Sequence, residues 1–412
     1  MDDLERFRLL FRQYDLIFGG VHINRAISVE LWEFANHRMM FGLHTLLKNL
    51  FTYTDVSKIK AKHSIMTTGG MSGRKDYYEL YKAVVSKIGS DVDLNRGMEW
   101  GRKLCFHPKM IVSVTKQSFR LLKGTSLSFY ERICVITDAI YYCNIILALH
   151  KCDFSAVKKY ICLVDVLRVE NVITQYMQTI GVKTFSLEEG IFYIFKGNIP
   201  HDAVHYETLT TDCLLCWSQY VVDEYLSHGI EKKRLLLAGY PKSVEIKMMR
   251  PLGDMRKCMI LLARAGFDDA NFRLLDILAK LPDQYSFYLK LHPSCEFGRY
   301  RKYADMHRMN IVDEGVTINE CLNQDTYDWA VAVNTTAYYE ALMRGVPCLR
   351  FEDNSFQLPN GWKDTFSDKE GLLEVIQVLR DMTTEQYQAE VDGMLKYVMG
   401  IGVDNYMELI LS

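Results

Sequence analysis

Three observations predict an α/β chain built as two doubly wound parallel sheets in series. From about Arg132 onward, short β-branched or apolar runs alternate with longer helix-like runs, the rhythm of strand–helix–strand units. A polar stretch, residues 242–257, interrupts that rhythm with one proline and one glycine and splits it into two sets. The length, 412 residues, suits two or three domains at about 150 residues each. The expected division is 1–242 and 243–412, two Rossmann-like domains facing a central cleft.

In the first set, residues 133–137 read as a strand, followed by an amphipathic stretch to His150. Residues 160–166 form a strand, 171–180 a helix stopped by Gly181, and 182–187 a strand ending at Glu188-Glu189-Gly190. A strand at 213–217, a helix at 221–228 stopped by Gly229, and a strand at 234–238 closed by Gly239-Tyr240-Pro241 complete the set. The second set has strands at 259–263, 285–291, near Ile311, at Trp329–Val333 and at 347–351. Helices at 369–382 and 384–399 close the chain. The first 130 residues hold helix-like segments at 28–51 and 76–88 and a short strand at 14–18, and are expected to complete the first domain. Ligands of such sheets bind beyond the carboxyl ends of the strands, so chemistry is expected there.

Composition narrows the function classes. The chain is 49% hydrophobic and 24% charged, which argues against disorder, collagen-like repeats and coiled coil. A net charge of −2 gives no global attraction to a polyanion, and no RNA-binding motif is present, so nucleic acid is not an expected partner. The acidic start, Met1-Asp2-Asp3, reads as no secretion signal. The most apolar stretch, residues 133–149, carries Asp138 and Asn144 and falls short of a membrane span. The eleven cysteines lie within apolar segments, where a thiol acts as a small hydrophobe, and a reduced cytoplasmic setting is expected.

Three constellations carry chemistry. Glu188-Glu189-Gly190 follows a strand; adjacent carboxylates raise each other's pKa, and one can take the proton of an attacking hydroxyl while the glycine lets the chain turn. The competing reading is a polar strand-to-loop junction. His292-Pro293 ends a strand of the second set, where an imidazole can donate to a phosphate oxygen. His107-Pro108 shows that the dipeptide also occurs without a strand before it. Asn334-Thr335-Thr336 follows Trp329–Val333 and precedes a helical run, Ala337–Met343. Threonine there is a natural N-cap, and the same geometry makes a phosphate site. Glu340 lies one residue beyond the capping-box position and can meet a ribose.

Other motifs rank lower. Asp91-Val92-Asp93 has the form of a metal-binding Asp-x-Asp but follows a helix-like run and Gly89-Ser90. His201-Asp202-Ala203-Val204-His205 mimics a zinc helix with Asp in place of Glu. Cys213 and Cys216 lack a second pair and, on a strand, point to opposite faces. The glycines of residues 69–75 lack phosphate-loop spacing. No metal site is expected. Residues 100–130 contain no Asp or Glu but six Lys or Arg, a segment suited to an anionic glycan or lipid headgroups, or to a solvated basic face.

The order Glu-Glu-Gly, His-Pro, then Thr-Thr before Glu340-Ala341-Leu342 and Gly345-Val346-Pro347 resembles the bacterial sialyltransferases and polysialyltransferases of the GT-B type, across roughly residues 132–352. The surrounding text is also similar to the CDP-glycerol glycerophosphotransferases of surface polymers. In those, a His-Gly pair occupies the Glu189-Gly190 position, and a segment like 225–241, with Ala238-Gly239-Tyr240-Pro241, follows. The resemblance implies a GT-B fold and an inverting, metal-independent glycosyltransferase of bacterial surface polysaccharide, capsule or lipooligosaccharide. The donor would be a CMP-activated acidic sugar and the acceptor a glycan, free or lipid-linked, with no cofactor beyond the donor.

By that resemblance Glu188, or secondarily Glu189, is the base, and His292 the acid at the donor phosphate. Gly190, Pro293, Thr335 and Thr336 hold the donor, and Glu340 faces its ribose. The alternatives are a glycerol-phosphate, ribitol-phosphate or Kdo transferase and a non-catalytic scaffold of a polysaccharide assembly complex. The expected location is the cytoplasm, with peripheral contact to the inner face of the membrane through residues 100–130.

Overall fold

A computed structural model describes residues 2–69, 75–89, 91–166, 168–191, 194–195, 203–250, 255–307, 309–323, 326–353, 356–357 and 364–412. It divides into two units. The first comprises Met1–Glu189, Asn198–Lys242 and Val403–Ser412, and the second Gly190–Gly197 and Ser243–Gly402.

Unit 1 is built on six parallel strands: β1 (Ile65–Gly69), β2 (Val92–Arg96), β3 (Lys159–Cys162), β4 (Lys183–Leu187), β5 (Cys213–Cys216) and β6 (Leu235–Leu237). Their order is β6-β5-β4-β3-β1-β2. Every residue of β1 and β5 is buried, as parallel strands covered by helices on both faces require.

The sheet therefore starts near residue 65, not at 132, and its direction reverses between β1 and β3. β1 is hard to see in the sequence because Thr67 and Thr68 interrupt its apolar run. Both are buried and satisfied: Thr67 pairs with the Tyr81 hydroxyl and donates to the Asp93 carbonyl at 3.1 Å, and Thr68 meets the Tyr160 hydroxyl at 2.5 Å.

The strand expected at residues 133–137 is corrected. These residues lie inside a 21-residue helix, Phe129–Leu149. Ser128 caps it, accepting the Glu131 N–H, while the Glu131 carboxylate accepts the Ser128 N–H in a capping box. No Gly or Pro interrupts the run, and the helix is apolar all round because the core surrounds it. By length and composition it could cross a membrane, yet 83% of its most apolar window is buried inside the protein. The expected helix at 28–51 is two helices, Ser28–Ala35 and Leu43–Phe51, parted at His37, whose φ is +53°. The expected strand at 14–18 shrinks to Ile17–Phe18, paired with Val21–His22 outside the main sheet.

Unit 2 has a second six-stranded parallel sheet: β7 (Lys257–Leu261), β8 (Ser286–Lys290), β9 (Met309–Ile311), β10 (Trp329–Val333), β11 (Cys348–Phe351) and β12 (Thr365–Phe366). The order β9-β8-β7-β10-β11-β12 is the 3-2-1-4-5-6 pattern of a Rossmann sheet, whose switch point lies between β7 and β10. Two Rossmann-like α/β units in one chain are the domain set of the GT-B fold. The two-residue β12 escapes sequence reading, and a buried ion pair holds it in place. Arg350 of β11 meets Asp364 through Nε–Oδ2 at 2.9 Å and Nη2–Oδ1 at 3.0 Å, and the Tyr338 hydroxyl donates to the same carboxylate.

Two segments depart from the 1–242 and 243–412 division. Ile194–Phe195 pairs with Phe356–Gln357 in unit 2. Val403–Ser412 returns to unit 1, where Asn405 donates to the carbonyls of Ala238 (N–H, 3.0 Å) and Leu237 (Nδ2, 3.0 Å). Tyr406 donates to the Gly239 carbonyl at 2.8 Å, and Lys159 donates to the Ile410 carbonyl at 2.6 Å. Gly239 makes this closure sterically feasible. Its φ is +99°, and a Cβ would stand 1.9 Å from the Val403 carbonyl oxygen.

Gly239→Ala should therefore lower stability by about 2–5 kcal/mol, combining left-handed strain with overpacking against backbone. A lower urea midpoint, with earlier proteolysis of the last ten residues, is the expected result; an unchanged midpoint would show that the closure yields without cost.

Candidate functional site

In unit 1 the carboxyl end of β4 carries Glu188 and Glu189, and the half-buried Gly190 that follows them is the first residue of unit 2. Glu188 is 3% exposed, and its Oε2 accepts the Trp217 N–H at 2.6 Å, which joins the ends of β4 and β5. Its Oε1 is buried with no hydrogen-bond partner among the described residues. Burial, with the neighbouring Glu189 charge, drives the Glu188 carboxyl well above the usual carboxylate range, although the Trp217 N–H favours the ionised form. Glu189 is half-buried, and its Oε1 lies 3.6 Å from Nε2 of His205, on the short helix Val204–Thr208.

A third carboxyl belongs to the same neighbourhood. Glu170, in the first turn of Arg168–Thr179, is 1% exposed and accepts the Val164 N–H at 3.3 Å. Burial raises it to about 8, and the charge of Glu189 adds to the shift. The cluster thus pairs two buried carboxyls that favour the protonated form with one that reaches solvent. Environments that differ in this way separate acid from base roles.

In unit 2, His292 and Pro293 follow β8 after one intervening residue, Leu291. His292 is half-buried and Pro293 exposed. The Ser294 N–H donates to His292 Nδ1 at 3.1 Å, with the Ser294 hydroxyl 2.9 Å from the same nitrogen. An Nδ1 that accepts leaves the proton of a neutral imidazole on Nε2. Ser294 is itself held by the Ala265 N–H at 3.0 Å.

On the other side of β7, at the end of β10, stand Asn334, Thr335 and Thr336, all half-buried. Asn334 has φ +34°, in the left-handed region that Asn tolerates better than most residues. The N-cap expectation shifts by one residue. Thr335 Oγ1 accepts the Ala337 N–H at 3.3 Å, whereas the Thr336 side chain caps nothing. Glu340 is half-buried on Ala337–Met343. Both groups of residues flank the end of β7, about 10 Å apart at two strand spacings.

The lower-ranked motifs have structural work. The Asp-x-Asp motif follows the helix Lys75–Ile88, as expected, and Asp93 itself lies on β2. Its Oδ2 accepts the N–H groups of Lys62 (2.5 Å) and His63 (2.6 Å), and Oδ1 faces His63 Nδ1 at 3.0 Å. Burial opposes ionisation there, but these hydrogen bonds prevail and hold Asp93 below the usual carboxylate range. Cys213 and Cys216 are buried on β5, and all eleven cysteines are unpaired. Pro108 opens the helix Pro108–Leu121. Residues 70–74, His201 and Asp202 lie outside the described residues. No cluster of three His, Cys, Asp or Glu suited to a metal occurs among the described residues.

Sequence reading missed Glu170, His205 as a partner of Glu189, and Ser294. Only Ser294, two residues from His292, had a local signal; the others meet their partners through tertiary packing.

No protein-family model matches this sequence, and no curated protein sequence matches it. Solved structures align over most of its length. HepE of Anabaena, in complex with UDP and glucose, is 10% identical, covers 85% of this chain and 98% of its own, and gives a TM-score of 0.49. UDP-GlcNAc 2-epimerase of Methanocaldococcus jannaschii, in complex with UDP-GlcNAc and UDP, is 12% identical, with coverage of 84% and 98% and a TM-score of 0.48. The lipopolysaccharide outer core galactosyltransferase WaaB is 14% identical, with coverage of 84% and 94% and a TM-score of 0.46. Likenesses of this size assign no activity.

The raised Glu170 carboxyl makes a stability prediction. The folded chain keeps this proton up to about pH 8, whereas the unfolded chain loses it near pH 4.3. The group's contribution is complete below the unfolded value and declines as pH rises through that window, by about 1.4 kcal/mol per pH unit. Glu170→Gln keeps an acceptor for Val164 and should flatten the decline, raising the urea midpoint at pH 8 more than at pH 5. An equal shift at both values would refute the assignment.

Proposed function

We propose that this chain is an inverting glycosyltransferase that moves an acidic sugar of the sialic acid kind from a CMP donor to a hydroxyl of a bacterial surface glycan. The observation that carries the reading is the unequal carboxylate pair at the end of β4. Glu188 is buried and tied to Trp217, while Glu189 is half-buried beside His205. This contrast supports Glu189 as the base with Glu188 in a supporting role, reversing the weight that the motif alone suggests.

In this reading Glu189 takes the proton of the acceptor hydroxyl as its oxygen attacks the anomeric carbon. The bond from that carbon to the donor phosphate breaks on the opposite face, which inverts the anomeric configuration. The leaving-group roles belong to residues of unit 2. His292, with Nδ1 held by Ser294, directs its Nε2 proton to the departing phosphate oxygen. The hydroxyls of Thr335 and Thr336 bind the phosphate, Glu340 meets the ribose, and Gly190 and Pro293 shape the backbone around the ligand. With these groups meeting the phosphate charge, the proposed step invokes no metal.

The test is a thermal-shift screen against CMP-sialic acid, CMP-Kdo, CDP-glycerol and UDP-sugars, followed by transfer assays. Stabilisation by CMP-sialic acid above the others is expected, with Glu189→Gln and His292→Ala each lowering kcat at least about a hundredfold. A preference for CDP-glycerol or CMP-Kdo would move the donor assignment, and no stabilisation by any nucleotide would favour a scaffold. Full activity in Glu189→Gln with loss in Glu188→Gln would return the base to Glu188.

A further inference from the structure

The acid-free segment of unit 1 folds next to a second acid-free segment, and together they expose apolar side chains that no described part of the protein covers. Residues 34–54 and 100–130 contain no Asp or Glu. On the helix Leu43–Phe51, Leu43, Leu47 and Phe51 recur every fourth residue, so they form one stripe, and all three are exposed. Leu46 and Asn49 of the same helix are buried.

The stripe continues across a two-stranded ladder, Thr52–Thr54 with Arg102–Leu104. The Cys105 N–H donates to the Phe51 carbonyl at 2.9 Å, and the Phe51 and Phe106 rings lie 5.9 Å apart. Leu104 is 81% and Phe106 63% exposed. Directly after them, the helix Pro108–Leu121 turns Lys109, Val112, Lys116 and Arg120 to solvent on one stripe, with Met110, Val114 and Ser118 buried opposite.

A face of this composition has three candidate occupants. A symmetric dimer would set the patch against itself, opposing cations with cations, so the charge pattern disfavours a second copy. A nucleic acid would leave Leu104, Leu43 and Val112 without a partner. An anionic bilayer satisfies both halves: the cations meet lipid phosphates, and the projecting Leu and Phe side chains enter the boundary between headgroups and acyl chains. A cavity of about 530 Å3 opens beside the ladder, lined by Tyr53, Lys103, Phe106, His107 and Lys151 among others, with one acid, Asp153. Its cationic lining is suited to a phosphate headgroup.

We propose that this face of unit 1 docks onto a membrane surface rich in anionic phospholipid, with Leu104 and Phe106 inserted and Lys109, Lys116 and Arg120 against the headgroups. The proposal is independent of the catalytic reading and stands or falls without it.

Full-length protein is co-sedimented with vesicles of phosphatidylcholine alone, or of phosphatidylcholine and phosphatidylglycerol in equal parts. Binding to the anionic vesicles only, weakened but not abolished by salt, is expected. At about fivefold per cation, Lys109→Glu combined with Lys116→Glu and Arg120→Glu should reduce partitioning at least about a hundredfold. Leu104→Ser with Phe106→Ser should reduce it about tenfold as well. All five residues are exposed, so unchanged circular dichroism is expected in both variants.

Equal binding to both vesicle types, no binding, or wild-type binding by either variant would overturn the proposal. So would a dimer in sedimentation analysis that the apolar variant dissociates, or an RNA oligonucleotide or soluble anionic polysaccharide that binds this face in place of the vesicles.

Discussion

A parallel strand covered by helices on both faces can present a polar side chain only where it ends. Both sheets of this protein obey that constraint. β1, β5, β10 and β11 are buried along their whole length. The residues with chemical potential stand one to three positions past a carboxyl terminus: Glu188 and Glu189 after β4, His292 after β8, and Thr335 and Thr336 after β10. What each can do then depends on how the loop that follows is fastened.

The two units fasten these loops differently. Unit 2 uses a satisfied network: Arg350 and Asp364 form a bidentate pair nearly sealed from solvent, with Tyr338 completing it from the helix that follows Thr336. Such a pair contributes little net stability by burial, but loss of either partner leaves a buried charge uncompensated. Unit 1 keeps buried carboxyls that are only partly satisfied. Glu188 has one bonded oxygen and one with no partner among the described residues, and Glu170 is shifted upward by burial. Incomplete satisfaction of this kind is costly to a fold and concentrates at working sites. The left-handed Asn334 at the end of β10 is a second local irregularity at a strand terminus.

Legibility in the sequence followed burial pattern. Strands that are continuous apolar runs bounded by turn residues, such as Trp329–Val333, were readable to within a residue or two. β1 was not, because its threonines look polar until Tyr81 and Tyr160 are seen to satisfy them. Residues 133–137 misled in the opposite sense. A β-branched stretch inside an all-apolar helix has the local composition of a strand, and the capping box at Ser128 and Glu131 was the deciding signal. β12 is two residues long and owes its place to a carboxylate fourteen residues from its arginine.

By itself the sequence determined the alternation of elements, the break near Lys242, and the residue types at three strand ends, because periodicity and turn chemistry are local properties. Only the tertiary structure decided which carboxylate of the Glu188–Glu189 pair reaches solvent, since that depends on the Trp217 N–H and the His205 ring, both distant in the chain. It also decided that the acid-free residues 100–130 form an exposed face and not merely a basic stretch. Sequence counts the charges, but packing against the helix Phe129–Leu149 selects the side chains that are left outside.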